Sequence, residues 1–428
     1  KNIKKVLPAE IISGKIIKNR ILIKKSKFWS VSEDYLNTLK EPHLTSADLE
    51  NTLFEVVNDH LISDRAIGVF LSGGIDSSLV SCIATKIKPS INSFSIGFDN
   101  QSYNESDKAK KIASFIGTNH TEIIFNKNDI LNIVPNISQA YDEPFADQSL
   151  LPTMLLCGLS KKSNSIVCLS GDGGDELFGG YRKYVAYRWS KIISAIPISL
   201  RKALSRLLAD NKNTTYGELS RKVSRLLNNV SYNIDKIQIN FLDQTNDKEY
   251  FSLFGIKKVN KNNLFSPREH FEMDDINYLL AKDFQFSLLG DMLVKLDRYS
   301  MANSLEIRSP LMDKKIVECA FQIPGKNKIG FFSGKKIIKN SFQKILPYGY
   351  TKFPKKGFEV PLDKLLRKEL NYLIEEATEK KVLDSLKIKN KNIVKDWKED
   401  FLKGKKDNSW KLWTLISYTY WAKGNNLI

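Results

Sequence analysis

Cysteine, histidine and long apolar runs are all scarce in this sequence, and each scarcity excludes a class of function. The four cysteines, Cys82, Cys157, Cys168 and Cys319, are scattered, with no CxxC pair and no disulfide-like spacing. A disulfide scaffold and a structural zinc site are excluded, and a reduced, cytoplasmic setting is expected. The four histidines, His43, His60, His120 and His270, are isolated from one another, which argues against a histidine metal centre or a histidine-activated nucleophile. No segment approaches the roughly 20 apolar residues of a membrane span. Lysines interrupt the apolar residues of the N-terminal stretch, so no signal peptide is expected either.

Acidic residues are outnumbered: 48 Asp and Glu stand against 66 Lys and Arg, for a formal net charge of +18. Such a balance raises the question of nucleic acid. Lysine is spread along the whole chain beside Asn and Ile, however, and is not gathered into a stripe with interleaved aromatics. No nucleic-acid partner is expected, and the charge helps only to attract polyanionic substrates such as ATP. Trp410, Trp413 and Trp421, at roughly helical spacing, read as packing and not as a base-stacking platform.

What is present is the composition of a globular protein, 42% hydrophobic and 27% charged. At 428 residues the chain exceeds what one core usually supports, so a large domain with an appended subdomain is expected. Residues 1–30 read as short strands with turns, ending at Phe28-Trp29. From about Thr45 helices alternate with buried strands: a helix over 46–61, a short, continuously apolar strand over 66–71, a helix over 76–87, a strand over 92–98 and a helix over 106–116. A strand over 120–125, helices over 129–141 and 151–161, and a strand over 165–169 follow. The fold class is therefore α/β, a doubly wound parallel sheet whose ligands bind outside the carboxyl ends of the strands. Beyond Tyr181 strand signals largely stop, and residues 185–428 read as a mainly helical C-terminal subdomain. The division expected is 1–32, 33–184 and 185–428.

Two strand-to-helix loops carry the chemistry. In Leu71-Ser72-Gly73-Gly74-Ile75-Asp76-Ser77-Ser78 the glycines let the backbone turn tightly and approach a ligand. Its amides, the hydroxyls of Ser72, Ser77 and Ser78, and the following helix N-terminus form an anion cradle. The spacing is not GxxxxGK[ST], and no lysine follows the glycines, so this is not the usual kinase or GTPase loop. The second loop, Ser170-Gly171-Asp172-Gly173-Gly174-Asp175-Glu176, also follows an apolar strand. Its carboxylates lack the alternating positions and closing Glu of a calcium loop. In the expected fold it faces the first loop, where an acidic residue can hold magnesium on ATP.

These two loops, about a hundred residues apart, resemble those of the asparagine synthetase family, whose synthetase domain is of the ATP-pyrophosphatase, or PP-loop, type. Three further segments are similar to family signatures in the same order. They are Asp142-Glu143-Pro144-Phe145-Ala146-Asp147, the long segment Lys295–Asp313, and Leu346-Pro347 followed by Lys355-Lys356-Gly357-Phe358 and Pro361. The resemblance implies an adenine nucleotide α-hydrolase-like fold and a ligase that turns a carboxylate into an amide through an acyl-adenylate, releasing AMP and pyrophosphate. It implies ATP and Mg2+ as cofactors and aspartate and ammonia as substrates, and it is compatible with a homodimer. Leu71, Ile96 and the Ser170-Gly171 backbone would then hold adenosine. Ser72, Gly73, Gly74, Asp76, Ser77 and Ser78 would receive pyrophosphate, and Asp76 and Asp175 would bind magnesium.

On the same resemblance Lys355, or its neighbour Lys356, would neutralise charge on the phosphates. Asp172 occupies the place of an acidic residue tied to adenylate formation and amine deprotonation; many members carry Glu there, one methylene longer. Asp142, Glu143, Asp147, Glu176, Lys295, Asp297 and Arg298 are expected on the substrate side. Glu306, Arg308 and Asp313 read as structural, with Met301 and Leu305 in the core. Members that use glutamine begin with a glutaminase domain whose N-terminal cysteine releases ammonia. This sequence starts with Lys1 and its first cysteine is Cys82, so residues 1–32 are expected to be the remnant of that upstream domain and its linker, and the chain by itself to use free ammonia. Two alternatives remain open: a related enzyme acting on a sugar acid or natural-product carboxylate, and a non-catalytic or RNA-associated protein that keeps the fold.

Overall fold

A computed structural model describes residues 5–18, 20–31, 45–98, 106–209, 247–256, 273–350 and 360–428, with single positions or pairs between 220 and 245. Strands β1 (Glu10–Ile17) and β2 (Arg20–Lys27) form an antiparallel hairpin in register Glu10↔Lys27 through Ile17↔Arg20. The main sheet is built from β3 (Ile67–Phe70), β4 (Asn92–Phe98), β5 (Asn119–Phe125), β6 (Val167–Leu169) and β7 (Glu306–Arg308). Its order is β5-β4-β3-β6-β7, and every pairing is parallel.

The connections are helical: α1 (Ser46–His60) precedes β3, α2 (Ile75–Ile87) joins β3 to β4, and α3 (Ser106–Ile116) lies between β4 and β5. Helix α4 (Leu150–Lys162) leads into β6, and α5 (Gly174–Phe178) follows it. β3 is buried at all four positions because both faces of the sheet are covered. Val69 belongs to the core shared with α1, α2 and α3, whereas Phe70 belongs to the core shared with α4. The first core also takes in Leu279, Ile316 and Phe342, and the second takes in Leu373, Phe401 and Trp413, so both draw on residues beyond 184. Among the described residues no helix is long and apolar enough to cross a membrane.

Three expectations are corrected. The single helix expected over 129–141 is broken into Lys127–Ile133, a 3-10 turn at Val134–Asn136 and Ile137–Ala140. Pro135 lacks an amide hydrogen and its ring crowds the preceding turn, while Asn126 and Asp129 start the segment earlier through a capping box. The C-terminal part is not free of strands, because β7 completes the sheet beside β6. Three residues with a polar-apolar-polar pattern carry too little periodicity to be recognised locally. Met301 is 60% exposed and not core, whereas Leu305 is fully buried as expected.

Candidate active site

Because β3 and β6 are hydrogen-bonded neighbours, the loops at their carboxyl ends lie side by side. Gly73 adopts φ +76°, the left-handed conformation that favours glycine. The turn is then tied internally: Ser72 Oγ and Ser77 Oγ are 2.9 Å apart, and Gly74 N donates to Ser72 Oγ at 3.3 Å. The Tyr350 hydroxyl donates to the Gly73 carbonyl and lies 3.0 Å from Ser78 Oγ. The two loops touch through missing side chains. A Cβ on Gly171 would fall 2.5 Å from Ser77 N, and one on Gly174 would fall 2.5 Å from Asp76 Cγ. Any larger residue at either position would push the second loop off the Ser72–Ser78 loop.

A cavity of about 1050 Å3 opens over these loops. Leu71, Ser72, Gly73, Gly74, Asp76, Ser77, Ile96, Ser170, Gly171, Asp172, Asp175 and Lys295 line it, so most of the expected site residues converge. Ser78 does not: it is fully buried and its hydroxyl is engaged with Tyr350. Glu176 is also buried, accepting a bond of 2.6 Å from Tyr181, and burial raises its carboxyl to about 7. Asp142 pairs with Arg298 at 2.6 Å and Glu143 with Lys5 at 2.5 Å, all on the surface, and Asp297 is exposed. The helix carrying Lys295, Asp297 and Arg298 turns about 100° per residue, so Lys295 and Asp297 face opposite ways. Lys355 and Lys356 lie outside the described residues.

The structure adds a residue that sequence reasoning missed. Lys335 Nζ is bonded to Asp76 and stands 2.5 Å from Asp175 Oδ1. Burial works against its charge, but Asp175 and Asp76 outweigh burial and raise its pKa above the ordinary lysine value. Nothing local distinguished Ser333-Gly334-Lys335-Lys336 from the many other lysine pairs of this chain. Also in the cavity wall, Lys295 Nζ donates to Asp147 at 2.9 Å and to Ser149 Oγ at 2.6 Å. Burial pushes Asp147 up, but Lys295 and the Ser149 amide and hydroxyl hold it below its ordinary value. Desolvation raises Asp172, opposed chiefly by Lys295. Burial pushes Cys82, Cys157 and Cys168 up to about 12, which leaves none of the three as a thiolate nucleophile.

Residues 48–423 match the family model described as asparagine synthase. The chain belongs to the asparagine synthase family. It is 31% identical over 384 residues to "Asparagine synthetase [glutamine-hydrolyzing] 1" of Bacillus subtilis, covering 88% of this chain and 59% of that protein. It is 26% identical over 398 residues to a putative asparagine synthetase of Mycobacterium bovis, covering 87% and 57%. A Methanocaldococcus jannaschii relative, also a putative asparagine synthetase, is 33% identical over 187 residues, covering 43% and 36%. The chain thus spans less than two thirds of the length of these curated relatives.

Within the family frame the carboxylates fit a divalent ion. Asp76 and Asp175 converge on one ammonium, so a cation already sits where their charges meet. Among the described residues no group of three or more His, Cys, Asp or Glu could hold a metal by itself. Two carboxylates with the remaining positions left to phosphate and water is the way proteins usually hold magnesium. In the segment 306–313 the charged side chains make local contacts, and Glu306 is exposed. Arg308 pairs with Glu306 at 2.6 Å and donates to the carbonyls of His60 and Ile62, and Asp313 caps the helix Lys314–Gln322.

Proposed function

We propose that the chain is the synthetase part of a carbon–nitrogen ligase that forms an amide from a carboxylate, with aspartate as acceptor and asparagine as product. The single observation that carries this reading is the meeting of two loops over one cavity. A phosphate cradle without a P-loop lysine faces a carboxylate pair, with Asp172 alongside. Ammonia is the nitrogen source, delivered from glutamine where a glutaminase domain precedes this part.

In the first step an acceptor carboxylate oxygen attacks the α-phosphorus of ATP, the α–β bridge bond breaks, and pyrophosphate leaves. Ser72, Ser77, the loop amides and the N-terminus of α2 hold the leaving phosphates. Asp76 and Asp175 would hold Mg2+, which when bound supplies neutralisation of phosphate charge. In the second step ammonia attacks the acyl carbon of the aspartyl-adenylate, the bond to the AMP oxygen breaks, and Asp172 takes a proton from the attacking nitrogen. The Lys295–Asp147 pair keeps a fixed charge beside Asp172 and orients the acceptor. Lys355 or Lys356 remains the proposed second cation on the phosphates.

A second reading, with a bulkier carboxylate as acceptor, is favoured by one feature. The cavity lining also includes Val185, Ala186, Trp189 and Phe332, apolar side chains for which free aspartate has no counterpart. The test is pyrophosphate release from ATP with ammonia across a panel of carboxylates. Release with aspartate alone supports the first reading, and release only with larger sugar or aromatic acids supports the second. Release with no acceptor, and no ATP–pyrophosphate exchange, would overturn both.

A further inference from the structure

Lys335 stands between two carboxylates that the proposed function assigns to magnesium, and both cannot hold that point at once. We propose that Lys335 is a placeholder cation: its ammonium fills the metal position until Mg2+ arrives with ATP, and then moves onto the departing phosphates. The inference rests on the reading of Asp76 and Asp175 as magnesium ligands.

Three observations carry it. The ammonium contacts both carboxylates, and all three side chains are shielded, at 8% exposure for Lys335, 15% for Asp76 and 19% for Asp175. Two carboxylates brought together in such a place repel unless a cation stands between them. The backbone behind Lys335 is also fixed. Its amide donates to the Phe178 carbonyl at 3.2 Å, its carbonyl accepts from Lys339 N at 2.9 Å, and Gly334 packs so tightly on the Gly179 carbonyl that no Cβ would fit. Lys335 itself is held at φ 56°, a left-handed conformation that a non-glycine residue keeps only where the surroundings impose it. The flexible part is therefore the four-carbon stem alone. It lies in the same cavity wall as Ser72 and Ser77, so its ammonium can reach phosphate bound there without moving the backbone. Among the described residues free Mg2+ finds a pair of carboxylates with an ammonium already in place, whereas Mg2+ with ATP brings phosphate oxygens of its own. Metal and nucleotide then enter together.

Mn2+ binding, followed by electron paramagnetic resonance without nucleotide, tests this in the wild-type chain, Lys335→Met and Lys335→Arg. Lys335→Met should bind Mn2+ on the order of tenfold more tightly or better, the scale on which one opposing charge acts at a shielded site. Lys335→Arg should stay as weak as wild type. Equal or weaker Mn2+ binding in Lys335→Met overturns the proposal. Should Lys335→Met fail to fold, a wild-type structure with Mg2+ and a non-hydrolysable ATP analogue decides. Nζ found on phosphate oxygens supports the exchange, and Nζ still between Asp76 and Asp175 overturns it. Failure of the proposed function is separately visible. Tighter Mn2+ binding without pyrophosphate release from any acceptor would refute the ligase reading alone, and equal Mn2+ binding with full release would refute the placeholder alone.

Discussion

Two ion pairs tie helix α6 (Leu293–Ala302) to the loop over residues 142–149, and their surroundings differ sharply. Lys295 and Asp147 are 7% and 15% exposed, and the lysine also holds Ser149 and lines the cavity. Arg298 and Asp142, at 44% and 68%, meet in solvent. All four residues belong to motifs that run contiguously in the sequence. Lys295 and Arg298, three residues apart, share one face of the helix, so what separates them is depth in the fold and not their place along the chain. Burial decides: a shielded pair acts at full strength on its neighbours, and a solvated one is screened by water and salt.

Breaking the inner pair should have the largest effect. Lys295→Met leaves Asp147 buried without its cation and should cost about 3–5 kcal/mol of stability, read from urea unfolding. The comparison sharpens with pH. Asp147 has a lowered pKa in the folded chain, so its pairing stabilises above the unfolded value of about 3.9 and is lost as pH falls through the folded one. The gap between wild type and Lys295→Met should therefore narrow below about pH 4. Asp76→Asn, which removes one of the converging carboxylates, should slow pyrophosphate release roughly 100- to 1000-fold. Asp172→Asn should slow amide formation about 100-fold while the Kd for ATP changes far less, since the other loop holds the phosphates. The smallest effect belongs to the outer pair. Arg298→Ala should cost under about 1 kcal/mol and less at high salt. A loss equal to that of Lys295→Met would mean that burial does not rank these charges.

Much of this arrangement was legible in the sequence. Strand β3 announces itself because a strand covered on both faces reads as one continuous apolar run, and the glycines of both loops mark backbone that approaches another group. Gly171 and Gly174 do so against Ser77 and Asp76. What stayed hidden depends on contacts between distant segments. Ser78 has the same type and setting as Ser77, yet Tyr350, 272 residues away, takes its hydroxyl out of the cavity. Lys335 reaches Asp76 across 259 residues, and no local pattern marks it. Glu176 follows Asp175 directly but lies on the buried side of a single turn of helix, facing Tyr181.

Strand β7 bears on how the chain must be made. It pairs with β6, the strand that carries the carboxylate loop, across a separation of more than 130 residues. During synthesis at roughly 5–20 residues per second, β6 leaves the ribosome well before residues 306–308 exist. In that interval its outer edge presents unpaired amides and carbonyls, the kind of template on which other strands add. Chains cut short before β7 should therefore aggregate even though both glycine-rich loops are intact, and of the edges that later pair within the main sheet this one stays open longest in synthesis. Pulse-labelled truncations ending before and after residue 308 would measure that window.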